Sequence, residues 1–371
     1  MKIRGAVLRT VGADRPYGKS EPIDVCELEL APPAASELLV RIEAASVCHS
    51  DLSVVNGSRP RPVPMLLGHE AAGIVVETGP DVADVSPGQR VILTFLPRCG
   101  KCKGCLTDGK APCVWGSAAN GAGEMLSGGS RLSISGVPVR HHLGVSAFAT
   151  HAVVDRRSVV PVENDVPPSV AAVLGCAVLT GGGAVINAVK PQPGMSIAVI
   201  GLGGVGMAAL LTALSFAGVR VYAVDSSSAK RDQAVAFGAH GVYSPEEAAS
   251  ELRADAVVEA VGRSVAFELA VTCTAPGGTT VTVGLPAPDD LASISPLGLV
   301  GEGKTIIGSY LGSSVPERDL PLLVDLWRRG RLPVDHLISS TIPLSDINDA
   351  MERLAAGTEL RQIIDLTKED M

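Results

Sequence analysis

A chain of 371 residues with 31 basic against 39 acidic side chains, a formal net charge of −8, has room for a sizeable core and two domains. With 3% aromatic residues and no dense Lys/Arg stripe it lacks the basic grooves and stacking platforms of a nucleic-acid surface, so a small molecule is the expected partner. The opening MKIRGAVLRTVG is broken by charge and glycine too early for a signal peptide, and later apolar segments are interrupted by glycine runs, which argues against a membrane span and for a cytoplasmic protein.

Up to about residue 160, short runs rich in Val, Ile and Leu are separated by Pro and Gly: LLVRIEAASV (38–47), AAGIVVETG (71–79) and QRVILTFL (89–96). This is the pattern of an irregular β-rich domain. Next comes RCGKCKGCLTDGKAPC (98–113), which holds four of the eight cysteines. In a reducing compartment such a cluster reads as metal ligands, not crosslinks. The two-residue gaps let Cys99, Cys102 and Cys105 converge with Cys113 on one ion, and Gly100, Gly104 and Gly109 relieve the tight backbone. Four sulfurs complete a closed tetrahedral zinc shell, so this site is expected to be structural. An iron–sulfur cluster is the other use for four thiolates; the long last gap and the missing Cys-Pro ending fit it less well. The Gly/Ser-rich stretch after the cluster, residues 116–136, reads as a long loop of the functional kind.

From about residue 195 the pattern changes. SIAVIGLGG (196–204) reads as a buried strand, GVGMAALLTALSFAG (204–218) as a helix closed by glycine, and VRVYAVD (219–225) as a second buried strand. ADAVVEAVG, GTTVTVGLP and KTIIGSYLG continue the alternation, the signature of a parallel sheet with crossover helices. In GLGGVG, Gly201 permits the tight turn, Gly203 lets the backbone approach a pyrophosphate at the helix N-terminus, and Gly206 permits close helix packing. Asp225 ends the next strand where a carboxylate meets the adenosine ribose hydroxyls and repels a ribose phosphate, which favours NAD over NADP. The tail reads helix (320–333), helix (345–357), strand (361–366). Cys48, His69 and Cys176 lie too far apart for spacing to connect them, and singly each has an ordinary structural reading; Cys26 and Cys273 read as buried thiols.

Taken together, these residues resemble the zinc-containing alcohol dehydrogenase family of the medium-chain dehydrogenase/reductase superfamily, in the long-loop type that includes animal-type alcohol and thiol-dependent formaldehyde dehydrogenases. GHEAAGIVVETG matches the family's zinc signature in Gly68, His69, Glu70, Gly73 and Gly79, and the other motifs follow in the family's order over nearly the whole chain. The resemblance implies an α/β fold: a Rossmann doubly wound parallel sheet (181–319) plus a β-rich GroES-like catalytic domain with a zinc lobe (1–180 and 320–371), paired as a homodimer. It implies two zinc ions per subunit, one of them catalytic and held by Cys48, His69 and Cys176 with Glu70 close behind, and NAD as cofactor. By the same resemblance Asp51 orients His69, and Ser50 takes the alcohol proton. Gly204, Lys230, Thr180, Arg361 and His49 join Gly201, Gly203, Gly206 and Asp225 around the cofactor, with Arg361 near the pyrophosphate and His49 near the phosphates.

Two departures from relatives bear on mechanism. Ser53 stands where relatives end the proton relay in histidine, and a hydroxyl lacks the pKa of a terminal base, so protons are expected to exit through water. Phe95 matches an aromatic pocket residue, whereas His142 stands where an apolar one is expected; His142 is either a polar contact for substrate or a surface histidine. The expected reaction is reversible oxidation of a primary or aromatic alcohol to its aldehyde. Oxidation of a formaldehyde–thiol adduct and a non-catalytic nucleotide- or metal-binding role are the rivals.

Overall fold

The computed structural model describes residues 1–369 and divides into two compact units: residues 1–107, 112–176 and 335–369 in one, 108–111 and 177–334 in the other.

The first unit is β-rich. Strands Lys2–Leu8, Ile23–Leu30, Leu132–Ile134, Val137–His141 and Met65–Leu66 close into a small barrel. A seven-stranded sheet runs, in order, Val159–Val162, Arg90–Leu93, Ala71–Thr78, Glu37–Val47, Arg361–Asp365 and Ile338–Ile342, with His151–Asp155 also pairing on Glu37–Val47. Strand Glu37–Val47 is the hub. Its residues alternate between faces, so Leu38, Val40 and Ile42 enter one apolar core while Leu39 enters the second, and both faces are covered. The pairing register then places the site. Ala45 lies opposite Ala71, and Val47 lies opposite Gln362, so Cys48, the His69–Glu70 pair and Arg361 all arrive at one end of the sheet.

The second unit is a six-stranded, all-parallel sheet in the order Gly241–Tyr243, Arg220–Val224, Ser196–Ile200, Ala254–Glu259, Thr274–Thr282, Thr305–Gly308. In sequence terms this is 3-2-1-4-5-6, the doubly wound dinucleotide-binding arrangement. Its inner strands are buried on both faces, which is why they read as continuous apolar runs.

Two expectations need correction. Residues 116–136 are not one loop: helix Val114–Ala122 is followed by the hairpin Leu132–Ile134/Val137–His141. The Cys113 thiol caps the helix by accepting from the Gly116 N–H, and Gly123 ends it in the left-handed region (φ 68°). Ser135 and Gly136, both at positive φ (50° and 78°), make the two-residue turn that hairpins favour. Arg131 then pins the segment to the sheet through paired bonds of 2.8 Å to the fully buried Glu37. The second correction concerns residues 177–180 and 320–334, expected in the first domain but found in the second unit. Helix Pro316–Arg328 packs on Leu179–Gly183 so closely that a Cβ on Gly182 would stand 3.0 Å from Leu323 Cδ2. The helical run Pro168–Val189, in which the division falls, is long and apolar enough to cross a membrane, but 89% of its apolar window is buried within the fold, as in a core helix.

Candidate active site

Cys48 leaves the hub strand in an extended conformation and caps helix His49–Val55. Asp51, at the third position of that helix, turns back: its Oδ2 accepts from the Cys48 N–H at 3.2 Å and its Oδ1 from the Gly68 N–H at 3.0 Å. Gly68 is required there, since it sits at φ 98° and a Cβ would lie 2.5 Å from the Phe148 nitrogen. This tie carries the next residue, His69, to the same carboxylate, with Nδ1 3.3 Å from Asp51 Oδ1. The imidazole's other nitrogen, Nε2, faces the Cys176 thiol at 3.5 Å. Cys176 comes from a π-helical turn, Leu174–Val178, beside Gly175, whose Cβ would stand 2.3 Å from the Leu93 carbonyl oxygen. Such bulges widen a helix and re-aim a side chain, and they recur at functional sites.

One ligand atom from each of Cys48, His69, Glu70 and Cys176 lies within 4.8 Å of the others, all buried. Arg361 closes the back, Nε 3.2 Å from Glu70 Oε1 and Nη2 3.7 Å from the Cys48 sulfur. The hydrogen bond from Cys176, and then Arg361 and His69 against the cost of burial, hold the Cys48 thiol well below its usual range. Burial pushes the Glu70 carboxyl up to about 7 despite Arg361. Burial also opposes charge on Asp51, but the His69 and His142 imidazoles override it and keep its carboxyl below the ordinary range. Two thiols, an imidazole and a carboxylate converging in a dry site form a donor set that suits zinc. The second oxygen of Glu70 is buried with no hydrogen-bond partner among the described residues, as an atom left to face a cation would be.

The four-cysteine lobe is equally well formed. Its sulfurs lie within 4.8 Å of one another, with 3.9 Å between Cys99 and Cys105 and between Cys102 and Cys113. Backbone N–H groups point at them: Cys99 and Gly116 at Cys113, and Cys105 and Val114 at Cys102, from 3.3 to 3.4 Å. The last two draw the Cys102 thiol down to about 6. Among the described residues no cysteine is in a disulfide.

In the second unit the glycine turn has the predicted shape. Gly201 sits at φ 90°, a Cβ on Gly203 would meet nothing within 4 Å, and one on Gly206 would lie 1.7 Å from the Gly201 carbonyl oxygen. Asp225 ties the turn to its own strand end, accepting from the Leu202 N–H at 2.7 Å and the Ser227 N–H at 2.9 Å. Ser227 caps helix Ser228–Ala236, which carries Lys230, while Gly204 begins helix Gly204–Leu214 and Thr180 is buried in Leu179–Gly183.

Comparison with known proteins agrees with this geometry. Residues 34–164 match the alcohol dehydrogenase GroES-like domain and residues 204–328 the zinc-binding dehydrogenase domain. The chain is 35% identical to alcohol dehydrogenase B of Mycobacterium tuberculosis over 383 aligned positions that cover 100% of both. The chain belongs to the zinc-containing alcohol dehydrogenase family. It is also 34% identical to alcohol dehydrogenase 1 of Pisum sativum, over 93% of this chain and 94% of the other. The crystal structure of benzyl alcohol dehydrogenase from Acinetobacter calcoaceticus superposes with a TM-score of 0.89 at 30% identity, covering 98% of this chain and 99% of that one. An alcohol dehydrogenase zinc-binding domain protein from Burkholderia ambifaria does so at 0.91 and 32%, over 98% and 99%.

Within this dehydrogenase the structure brings together Cys48, Asp51, His69, Glu70, Cys176 and Arg361, with Phe95 edge-on to the His69 ring (centroids 5.6 Å apart, planes at 86°). Ser50 is half-buried and His49 exposed on the helix that Cys48 caps. Two residues have neighbours that the sequence did not announce. Arg361 points inward at Glu70 and Cys48, where no spacing could have announced it, the partners being 291 and 313 positions away. His142 is not a surface histidine; it is 1% exposed and stands against Asp51 and His69.

Proposed function

We propose that this chain is an NAD-dependent, zinc-containing alcohol dehydrogenase that reversibly oxidises a primary or aromatic alcohol to its aldehyde, as a cytoplasmic homodimer. The observation that carries the reading is the buried convergence of Cys48, His69 and Cys176, with Glu70 behind. Those residues would hold the catalytic ion, and Cys99, Cys102, Cys105 and Cys113 a structural one. Zinc supplies Lewis-acid polarisation of the substrate oxygen, and NAD supplies the hydride acceptor.

The chain's own groups do the rest. Asp51 fixes the tautomer and orientation of His69 by standing at its Nδ1. The Arg361 guanidinium keeps negative charge on Cys48 and Glu70 tolerable in a dry site. The half-buried Ser50 hydroxyl receives the alcohol proton at Oγ. Ser53 does not continue the relay, since its hydroxyl donates to the His49 carbonyl at 2.7 Å and has no suitable pKa, so the proton leaves through water. His49 is a cofactor phosphate contact, as are the backbone N–H groups of the Gly201–Gly206 turn. Asp225 selects NAD, although its carboxylate is already braced by two N–H groups. Phe95, set edge-on against His69, favours a flat or apolar substrate body.

The test is metal analysis beside an NADH absorbance assay with benzyl, aliphatic and thiol-adduct substrates. NADH formation from simple alcohols by the zinc-loaded protein is the expected result. Strict dependence on a thiol with formaldehyde would replace the simple-alcohol reading, and zinc and NAD binding without turnover on any alcohol would overturn the enzyme reading.

A further inference from the structure

His142 stands at hydrogen-bond distance from the one carboxylate that ties the metal ligands together. Asp51 already takes the Cys48 and Gly68 N–H groups and the His69 imidazole; His142 Nδ1 is a fourth neighbour, 3.0 Å from the same Oδ1 that faces His69. The His142 ring also presses edge-on against His69, with centroids 5.1 Å apart and planes at 87°. Its backbone is locked: the N–H donates to Ser146 Oγ at 2.8 Å and to the Leu66 carbonyl at 3.3 Å, and Ser146 Oγ donates to that carbonyl at 2.7 Å. Among the described residues Nδ1 completes no hydrogen bond, Asp51 Oδ1 being in range but not in hydrogen-bond geometry. The terminal ring torsion of histidine is broad, so a small turn brings the two into line.

A buried ring nitrogen with no other partner among the described residues, on a locked backbone and beside both a ligand imidazole and the carboxylate that orients it, points to one use. We propose that His142 is a positioning residue for the catalytic ion: with Asp51 it clamps the His69 imidazole from two sides, and it does not contact substrate. The proposal rests on the reading of Cys48, His69 and Cys176 as zinc ligands. It adds a second imidazole to the support of that ligand, at a position where sequence alone suggested either a pocket wall or the surface. The physical gain is rigidity. Asp51 Oδ1 alone leaves the imidazole free to swing about the Nδ1 contact, whereas a ring packed perpendicular to it removes that freedom.

The test compares His142→Phe, which keeps a flat ring and deletes the donor, with His142→Asn, which keeps a donor near Nδ1. Zinc affinity is measured by competition with a chromogenic chelator, and the cobalt-substituted protein is read by its visible d–d absorption. His142→Phe is expected to weaken zinc binding about tenfold and to shift the cobalt bands, the usual scale for losing an outer partner of a ligand. His142→Asn should retain most of the affinity and the spectrum. Wild-type zinc affinity and cobalt bands in His142→Phe, with only the KM for alcohol changed, would overturn the proposal in favour of a substrate contact. Equal losses in both variants would reduce His142 to packing and overturn it too. If His142→Phe fails to fold, His142→Leu makes the same comparison. A wild-type protein that takes up no cobalt at the buried cluster would sink the zinc-ligand reading itself, an outcome separate from any difference among the variants.

Discussion

His141, the neighbour of His142, ends the barrel strand Val137–His141 and is buried with different partners. Its Nε2 accepts from the Arg131 N–H at 3.2 Å, its Nδ1 is buried without a partner, and burial, assisted by the Arg131 charge, drives its pKa down to about 3. In the unfolded chain an ordinary histidine titrates near 6.5. Above that pH neither state carries the proton and the residue contributes no pH dependence. As pH falls below 6.5 the unfolded state gains a proton that the folded state refuses, so stability drops by roughly 1.4 kcal/mol per pH unit until the folded pKa is reached. Between pH 7 and 5 the wild type should therefore lose about 2 kcal/mol that His141→Gln does not lose. Denaturant midpoints of the two proteins at the two pH values measure it; parallel shifts would show that His141 is already accessible to protons. At the same scale, the catalytic residues mark the limit of reading by spacing. Cys48, His69 and Cys176 could be joined only through family resemblance, because nothing in their separation along the chain brings them together; strand register gathers Cys48 and His69, and the π-helical turn packed on Leu93 brings Cys176.

At the scale of elements, the tightest constraint is the glycine turn ahead of helix Gly204–Leu214. A methyl group on Gly206 would overlap the Gly201 carbonyl oxygen at 1.7 Å, and that neighbour is backbone, which cannot step aside. Gly206→Ala should force the turn apart at a cost of about 1–3 kcal/mol, typical of overpacking, and weaken NAD binding by roughly ten- to hundredfold. NADH or NAD titration followed by fluorescence or calorimetry reads this directly, and affinity within twofold of wild type would show that the turn is looser than it looks. The same turn was fully legible beforehand, since its meaning lies in three glycines and a strand-ending Asp225. The strands of the second unit were legible for a related reason: they are buried on both faces and so are apolar throughout. Residues 114–141 were not. Their order comes from a cysteine acting as a helix cap, an Arg131–Glu37 pair spanning 94 positions and a Ser-Gly turn that looks like loop composition until its flanks are seen to pair. Composition reports what a segment is made of, and here long-range partners decided what it became.

For the whole molecule, the exposed edge of the parallel sheet is the feature that calls for a partner. Strand Thr305–Gly308 ends the sheet with one side unpaired, and Leu291, Leu297 and Val300 in the preceding segment are 83%, 81% and 82% exposed. An open sheet edge, and large apolar side chains left exposed in the segment before it, are hazards in a monomer and assets in an assembly. If this edge forms the proposed homodimer, the wild type should sediment as a dimer and the double variant Leu297→Asp/Val300→Asp as a monomer, with the zinc content per chain unchanged. A dimer that survives both charges would move the interface elsewhere.

The two clusters of metal-binding side chains also differ in when they can come into being. The lobe draws all four sulfurs from one short stretch, Cys99 to Cys113, so a ribosome that has passed that stretch has already delivered every donor. The buried cluster must wait for Cys176, 63 positions beyond Cys113, and its Arg361 brace comes 313 positions after Cys48. A fragment ending between these points would hold all four donors of the lobe and lack one of the buried cluster.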